Sequence, residues 1–307
     1  MTTGPLEFVR ASRWYGPVIA LNDVTATVAP GITGLLGPNG AGKSTFLKLA
    51  SGQLSPSQGE VRILGRPAAT SPEVFHRVGL CAEADAFWDR LTGLQFLVSL
   101  LRLTGFDDAE CRRRADGALE AVDLTAARDR KIGGYSKGMR QRVKLAQAIA
   151  HDPDVLLLDE PVTGMDPVNR RRVVDLVKRL GREGKTVVVS SHILHEVEAM
   201  TRRVLLIHNG RILAEGDVRE IRDLMDEHPH TVSLRARDPR RLGSAVVGLP
   251  SVLSLTFGAE GEWVTVQTSR ADDFYAALHE VAVDSGVTEM FSPDENLESV
   301  FRYLVAR

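Results

Sequence analysis

The chain has 307 residues, 43% hydrophobic and 25% charged, the balance of a soluble globular protein with room for one large domain and a smaller one. Its formal net charge of −2 gives no reason to expect a polyanion such as nucleic acid as partner, and its two cysteines, Cys81 and Cys111, lack metal-ligand spacing and suit a reducing compartment. No stretch approaches the ~20 apolar residues of a membrane span, and residues 1–7 lack the basic-then-apolar pattern of a signal peptide. A membrane part, if the protein works at a membrane, is expected from another chain.

The first ~35 residues read mostly as strands, with Val24, Ala26 and Val28 alternating with Thr25 and Thr27 and an apolar segment, 32–36, running into Gly37. A helical pattern starts at Lys43, uses Phe46, Leu47 and Ala50, and stops near Gly52. Residues 92–150 read as helix punctuated by Gly105 and Gly133-Gly134. Strands at 155–159, 186–190 and 204–207 then alternate with helices after Pro167 and from Ile193, the pattern of parallel strands joined by crossover helices. Composition shifts at 225–229. Beyond it, Val232, Leu234 and Ala236 alternate as a strand, and Asp238-Pro239 has the form of an N-cap with proline at the first helical position. A hairpin over 252–257 and 263–268 and helices over 271–285 and 295–304 complete an α+β module.

Gly37-Pro38-Asn39-Gly40-Ala41-Gly42-Lys43-Ser44-Thr45 fits G-x-x-x-x-G-K-[ST] between an apolar strand and a helix, the context that the motif requires. Its glycines let backbone N–H groups curl around phosphate oxygens, and the helix N-terminus adds a favourable dipole. Lys43 is then expected to reach the β- and γ-phosphates of ATP, and Ser44 to ligate Mg²⁺. An apolar strand ending in Asp159-Glu160 presents two carboxylates at its C-terminal edge, where Asp159 would hold Mg²⁺ and Glu160 would polarise the attacking water. A phosphate loop and an acidic strand specify a reaction, not yet a machine.

The segment Tyr135-Ser136-Lys137-Gly138-Met139-Arg140-Gln141-Arg142 resembles the signature of ATP-binding cassette (ABC) proteins, in the form used by type-2 exporters, with Ser136 and Gly138 matching and Tyr135, Lys137 and Met139 departing from the common pattern. Gly164-Met165-Asp166-Pro167 resembles the family's D-loop, Ser190-Ser191-His192 its H-loop, and Tyr15 the aromatic residue that stacks on adenine. The resemblance implies an α/β P-loop cassette over residues 1–224: a RecA-like parallel-sheet core, an antiparallel β subdomain and a helical subdomain at about 84–150, followed by the accessory module 225–307. It implies that His192 contacts the γ-phosphate and that Asp166 works across a dimer interface. Two copies, or a cassette pair, would sandwich two Mg-ATP molecules, each facing Lys43 of one subunit and Ser136 and Gly138 of the other. It further implies a separate transmembrane permease and a place on the cytoplasmic face of the membrane, with export as the direction. Glu83 stands where the family has glutamine, bringing charge to a position that would contact Mg²⁺ or water. Phe87 and Trp88 either line the groove that accepts a permease helix or pack inside the helical lobe. The segment 296–301 resembles the ending of drug-export cassettes. A soluble cassette acting on the ribosome or on DNA is the competing class, disfavoured by a single cassette without sustained heptads or cysteine clusters. His192 and His195 have helical zinc spacing but no evident third ligand.

Overall fold

A computed structural model describes residues 4–223, 229–258 and 262–292. The predicted final helix, with its 296–301 motif, lies outside them, as does most of the 225–229 segment. The chain forms two compact units that meet in sequence at Gly216/Asp217.

The first unit opens with β1 (Leu6–Tyr15), β2 (Val18–Val28), β3 (Gly31–Leu36) and α1 (Lys43–Ala50). The strands β4 (Gln58–Ile63) and β5 (Arg66–Pro67), the short α2 (Pro72–Phe75) and β6 (Val78–Cys81) follow. Three helices come next: α3 (Gly93–Leu103), α4 (Asp108–Ala121) and α5 (Lys137–Ile149). The unit closes with β7 (Val155–Asp159), α6 (Pro167–Arg182), β8 (Thr186–Ser191), α7 (Leu194–Glu198), β9 (Arg203–His208) and β10 (Arg211–Asp217).

These strands make a six-stranded sheet in the order β10-β9-β3-β8-β7-β6 and a four-stranded sheet in the order β2-β1-β4-β5. In the six-stranded sheet, β9, β3, β8, β7 and β6 pair parallel, and β7 is buried along its whole length. That is why its sequence is a continuous apolar run instead of an alternation. The expected alternation does appear in β2, where Val24, Ala26 and Val28 are buried and Thr25 and Thr27 exposed.

Between the two sheets lies a core in which Phe8 stacks on Phe46 of α1, ring centroids 4.0 Å apart. Phe46 is fully buried, so Phe46→Ala is expected to destabilise this unit by about 3–5 kcal/mol, read as a lowered urea midpoint with an unchanged slope. A second core joins α3, α4 and α5 to the other face of the parallel sheet through Phe96, Leu97, Leu119, Leu145, Leu156 and Leu158.

Helix starts follow local chemistry. Thr92 and Gln95 form a capping box on α3, Asp107 caps α4, Ser136 caps α5 and Asp166 caps α6 ahead of Pro167.

The second unit comprises α8 (Val218–Asp223), β11 (His230–Ala236), α9 (Pro239–Val246), β12 (Val252–Phe257), β13 (Trp263–Thr268), α10 (Ala271–Ser285) and β14 (Val287–Phe291). Asp238 caps α9 as its sequence suggested, and the β12–β13 hairpin has the expected bounds. The sheet order is β12-β13-β11-β14, with Val232, Leu234, Val264, Val266, Leu242 and Phe274 in one core. The edge strand β14 carries no apolar alternation, which left it unannounced in the sequence. No described helix is long and apolar enough to cross a membrane.

Candidate nucleotide site

Four parallel strands end on one edge of the six-stranded sheet and deliver the chemistry there. β3 runs into the loop 37–42, β7 ends at Asp159 before Glu160, β8 ends at Ser191 before His192, and β6 leads through Ala82 to Glu83. The register sets Leu36 beside Ser191 and Asp159 beside Ser190. Ligands of open α/β sheets collect at such carboxyl-end crevices.

The loop needs its glycines. Gly42 has φ +112°, and a Cβ there would lie 2.6 Å from the Ala20 carbonyl oxygen. A Cβ on Gly37 would collide with the Ile207 carbonyl. Pro38, Asn39 and Gly40 are exposed, Ala41 is buried, and the Ala41 N–H donates to Pro38 O at 3.2 Å. The first intrahelical bond of α1 runs from Phe46 N to Gly42 O, so the amides just before it have no helical acceptor. No side chain caps this terminus, unlike those of α3, α4, α5 and α6. An uncapped N-terminus over a glycine loop has the free amides and the dipole that suit an anion. Ser44 is exposed and Thr45 half-buried in that first turn.

Lys43 is only 8% exposed, and its Nζ donates to the carbonyls of Gly37 at 2.7 Å and Pro38 at 3.1 Å. Burial lowers its pKa, while Glu160, Asp159 and Glu83 act in the opposite sense. Burial is the larger effect, so the ammonium gains from an added phosphate charge.

Glu160 is held on every side. Its backbone has φ +49°, sparsely populated by non-glycine residues, and its N–H donates to Ser190 O at 3.1 Å. Oε1 accepts from His192 N at 2.9 Å and faces His192 Nδ1 at 2.7 Å; Oε2 accepts from Thr163 Oγ1 at 3.1 Å and Ser191 Oγ at 3.3 Å. A donor role for Nδ1 requires the proton there, leaving Nε2 as the ring's acceptor when neutral. Ser190 Oγ donates to Asp159, and the single Ser191 hydroxyl proton is shared between Glu160 and the buried Glu196, 3.2 Å away.

Glu83 is exposed, its side chain within electrostatic reach of Lys43 and its carbonyl accepting from Lys144 Nζ at 2.6 Å. Tyr15 is 43% exposed beside the turn at Gly16, with the Arg13 guanidinium 5.0 Å over its ring. Its hairpin reaches the phosphate loop at Ala20. Ser136 is exposed and accepts from Met139 N at 3.3 Å. An added Cβ on Gly138 would meet only Gly164 O, at 3.8 Å, and the Lys137 side chain lies over Gly164. Asp166, exposed, accepts from Asn169 N at 3.0 Å.

The expected residues therefore form two groups: Lys43, Asp159, Glu160, Glu83 and His192 around the loop, and Ser136, Gly138 and Asp166 at the adjoining starts of α5 and α6. Thr163 and Lys144 join the first group without having been expected, and Ser190, Ser191 and Gln141, which lie in the H-loop and signature segments, join it with no role foreseen for their side chains.

A glycine loop feeding an uncapped helix, a buried lysine and an acidic pair on a neighbouring parallel strand define a nucleoside triphosphatase of the P-loop class. Residues 21–163 match the family model described as ABC transporter. The chain is 38% identical over 202 residues to the ABC transporter ATP-binding protein NatA of Bacillus subtilis, covering 65% of this chain and 82% of that one. It is 33% identical over 278 residues to the daunorubicin/doxorubicin resistance ATP-binding protein DrrA of Streptomyces peucetius, covering 89% and 83%. An ATP-binding subunit of an ABC transporter superposes with a TM-score of 0.64 at 31% identity, over 71% of this chain and 92% of the other. The dimeric bacterial cassette MJ0796 does so at 0.65 and 24% identity, over 69% and 98%, a likeness of fold. The chain belongs to the ABC transporter ATP-binding protein family and is an ATP-binding, ATP-hydrolysing cassette.

Proposed function

We propose that this cassette drives export through a separate transmembrane permease, working as half of a head-to-tail pair that closes on two Mg-ATP molecules. The observation that carries the reading is the uncapped α1 terminus over buried Lys43, opposed by Asp159 and Glu160. Lys43 and the amides of 37–45 take the phosphates, while Ser44 and Asp159 hold Mg²⁺. Glu160 polarises water, His192 senses the γ-phosphate, and Tyr15 stacks on adenine with Arg13 behind it. Glu83 brings a negative charge near the metal in place of a neutral amide. Ser136, Gly138 and Asp166, at the adjoining starts of α5 and α6, serve the partner's nucleotide. The export direction follows the drug-resistance relatives.

A cavity of ≈ 380 Å³ lined by Leu80, Ala82, Phe87, Leu97, Leu100 and Lys144 supports a permease helix as the occupant. Of the two aromatic residues singled out in the sequence, Phe87 lines this cavity and Trp88, next to it in sequence, lies on the exposed surface. Phe87 is half-buried, edge-on to Phe96 at 5.4 Å; Trp88 also meets Phe96, at 5.9 Å, yet stays 55% exposed.

Tagged Glu160→Gln protein, purified from detergent-solubilised membranes with Mg-ATP, is expected to bring down a polytopic membrane protein in stoichiometric yield. Adding Trp88→Ala should reduce that recovery while leaving the unfolding midpoint near native, because an exposed ring adds little to the core. Recovery of ribosomal or DNA-repair proteins, with the chain absent from membranes, would overturn the transporter reading and leave the ATPase intact.

A further inference from the structure

Gln141 and Lys144 sit three residues apart on α5 and so share one helix face. They are 7% and 6% exposed, among the buried Val143, Leu145, Ala146 and Ala148. Burying an amide and an ammonium on a core helix is unfavourable unless both are bonded, and apolar side chains of similar size would fill the same space without desolvating a charge. Packing alone therefore does not account for them.

Their bonds are specific. Gln141 Nε2 donates to the carbonyl of Glu160 at 3.0 Å, and Lys144 Nζ donates to the carbonyl of Glu83 at 2.6 Å, with Asp85 Oδ1 at 3.1 Å. One helix thus grips the main chain at two acidic residues of the nucleotide site. At Glu160 the grip opposes the N–H bond to Ser190 and helps to hold the left-handed backbone. The same helix begins at its N-cap Ser136, the surface that the proposed head-to-tail pair would offer to the partner's nucleotide.

We propose that α5 is a strut coupling the serine end of one subunit to the two carboxylates of that subunit's own site, with Gln141 and Lys144 as positioning residues acting through the Glu160 and Glu83 carbonyls. The proposal rests on Glu160 as the residue that polarises water. When Ser136 engages the partner's nucleotide, displacement of α5 moves both acidic segments together, so occupancy of the opposite site sets the geometry of this one. A helix is stiff along its axis, whereas the loops bearing Glu83 and Glu160 are not themselves helical; the strut is the element that can transmit a shift.

The test compares Gln141→Leu, Gln141→Asn, Lys144→Met and Lys144→Arg in the full chain. Gln141→Leu leaves the Glu160 carbonyl bonded to Thr163 N, at 3.3 Å, and Lys144→Met frees the carbonyl of the exposed Glu83 to bond water and leaves the exposed Asp85 with Arg140 at 3.9 Å, so folding should persist. Gln141→Asn keeps the amide but shortens its reach, and serves if Gln141→Leu does not fold. Expected are a fluorescent-ATP Kd within about twofold of native, a kcat lowered about ten- to a hundredfold, and a Hill coefficient for ATP falling towards one. Lys144→Arg, which keeps charge and donors, should recover most of the lost turnover. Native kcat per folded molecule and native cooperativity, with only the melting temperature reduced, would overturn the proposal. Glu160→Gln is measured alongside: if it retains turnover, the reading of Glu160 fails; if it is silent while the α5 variants turn over normally, only the strut fails.

Discussion

Glu160→Gln should bind ATP as the native chain does and hydrolyse it about 10²–10⁴-fold more slowly, the range that a positioned general base contributes. The substitution keeps the side-chain volume. One amide oxygen can still accept from His192 N, and the amide nitrogen can donate to Thr163 and Ser191 hydroxyls, which accept as readily as they donate. Binding, fold and the left-handed backbone should survive, and the loss falls on chemistry alone. Single-turnover hydrolysis with Mg-ATP measures it. A loss below about tenfold, against the range for a positioned base, would move the role to another group.

The second large effect concerns which subunit completes which site. Lys43→Ala removes the phosphate-loop cation, and Gly138→Asp places a carboxylate on the surface that would face the partner's γ-phosphate. Open space around Gly138 lets that side chain fit without disturbing the fold. Each variant alone should be nearly silent. Mixed in equal amounts, half of the pairs contain both variants, and each mixed pair has one intact site: Lys43 of the Gly138→Asp chain facing Gly138 of the Lys43→Ala chain. Activity should return towards roughly a quarter of native, the ceiling set by two equivalent sites across a two-fold axis, and stay below it to the extent that the disabled opposite site leaves α5 of the working chain unengaged. Mixtures as silent as their components would argue that Ser136 and Gly138 serve no site across the interface.

Much of this protein is written in short stretches of sequence. The phosphate loop, the Asp159-Glu160 strand and the helix starts at Ser136 and Asp238 depend on residues within a few positions of one another. Glycine at φ +112°, an apolar run before an acid pair and a hydroxyl three residues ahead of a free amide carry the same meaning wherever the chain goes. The β12–β13 hairpin was legible for the same reason. The edge strand β14 was not, because an edge strand with one-sided partners need not alternate.

What surrounds Glu160 belongs to the other kind of information. Thr163 is local, but Ser191 and His192 lie 31 and 32 residues away, and Gln141 lies 19 away in the opposite direction. No periodicity announces that a buried amide on α5 will meet the carbonyl of a residue at the end of β7. The sorting of the expected residues into two groups is also tertiary, since it depends on which strand ends share an edge. So is the division between Phe87 and Trp88, neighbours in sequence of which one is half-buried and the other exposed. By itself the sequence determined the family, the nucleotide chemistry and nearly every local element, because these rest on backbone sterics, capping and periodicity. Only the tertiary structure decided how the acidic residues are held, because those bonds link segments brought together by parallel strand pairing and by the packing of α5 against the sheet.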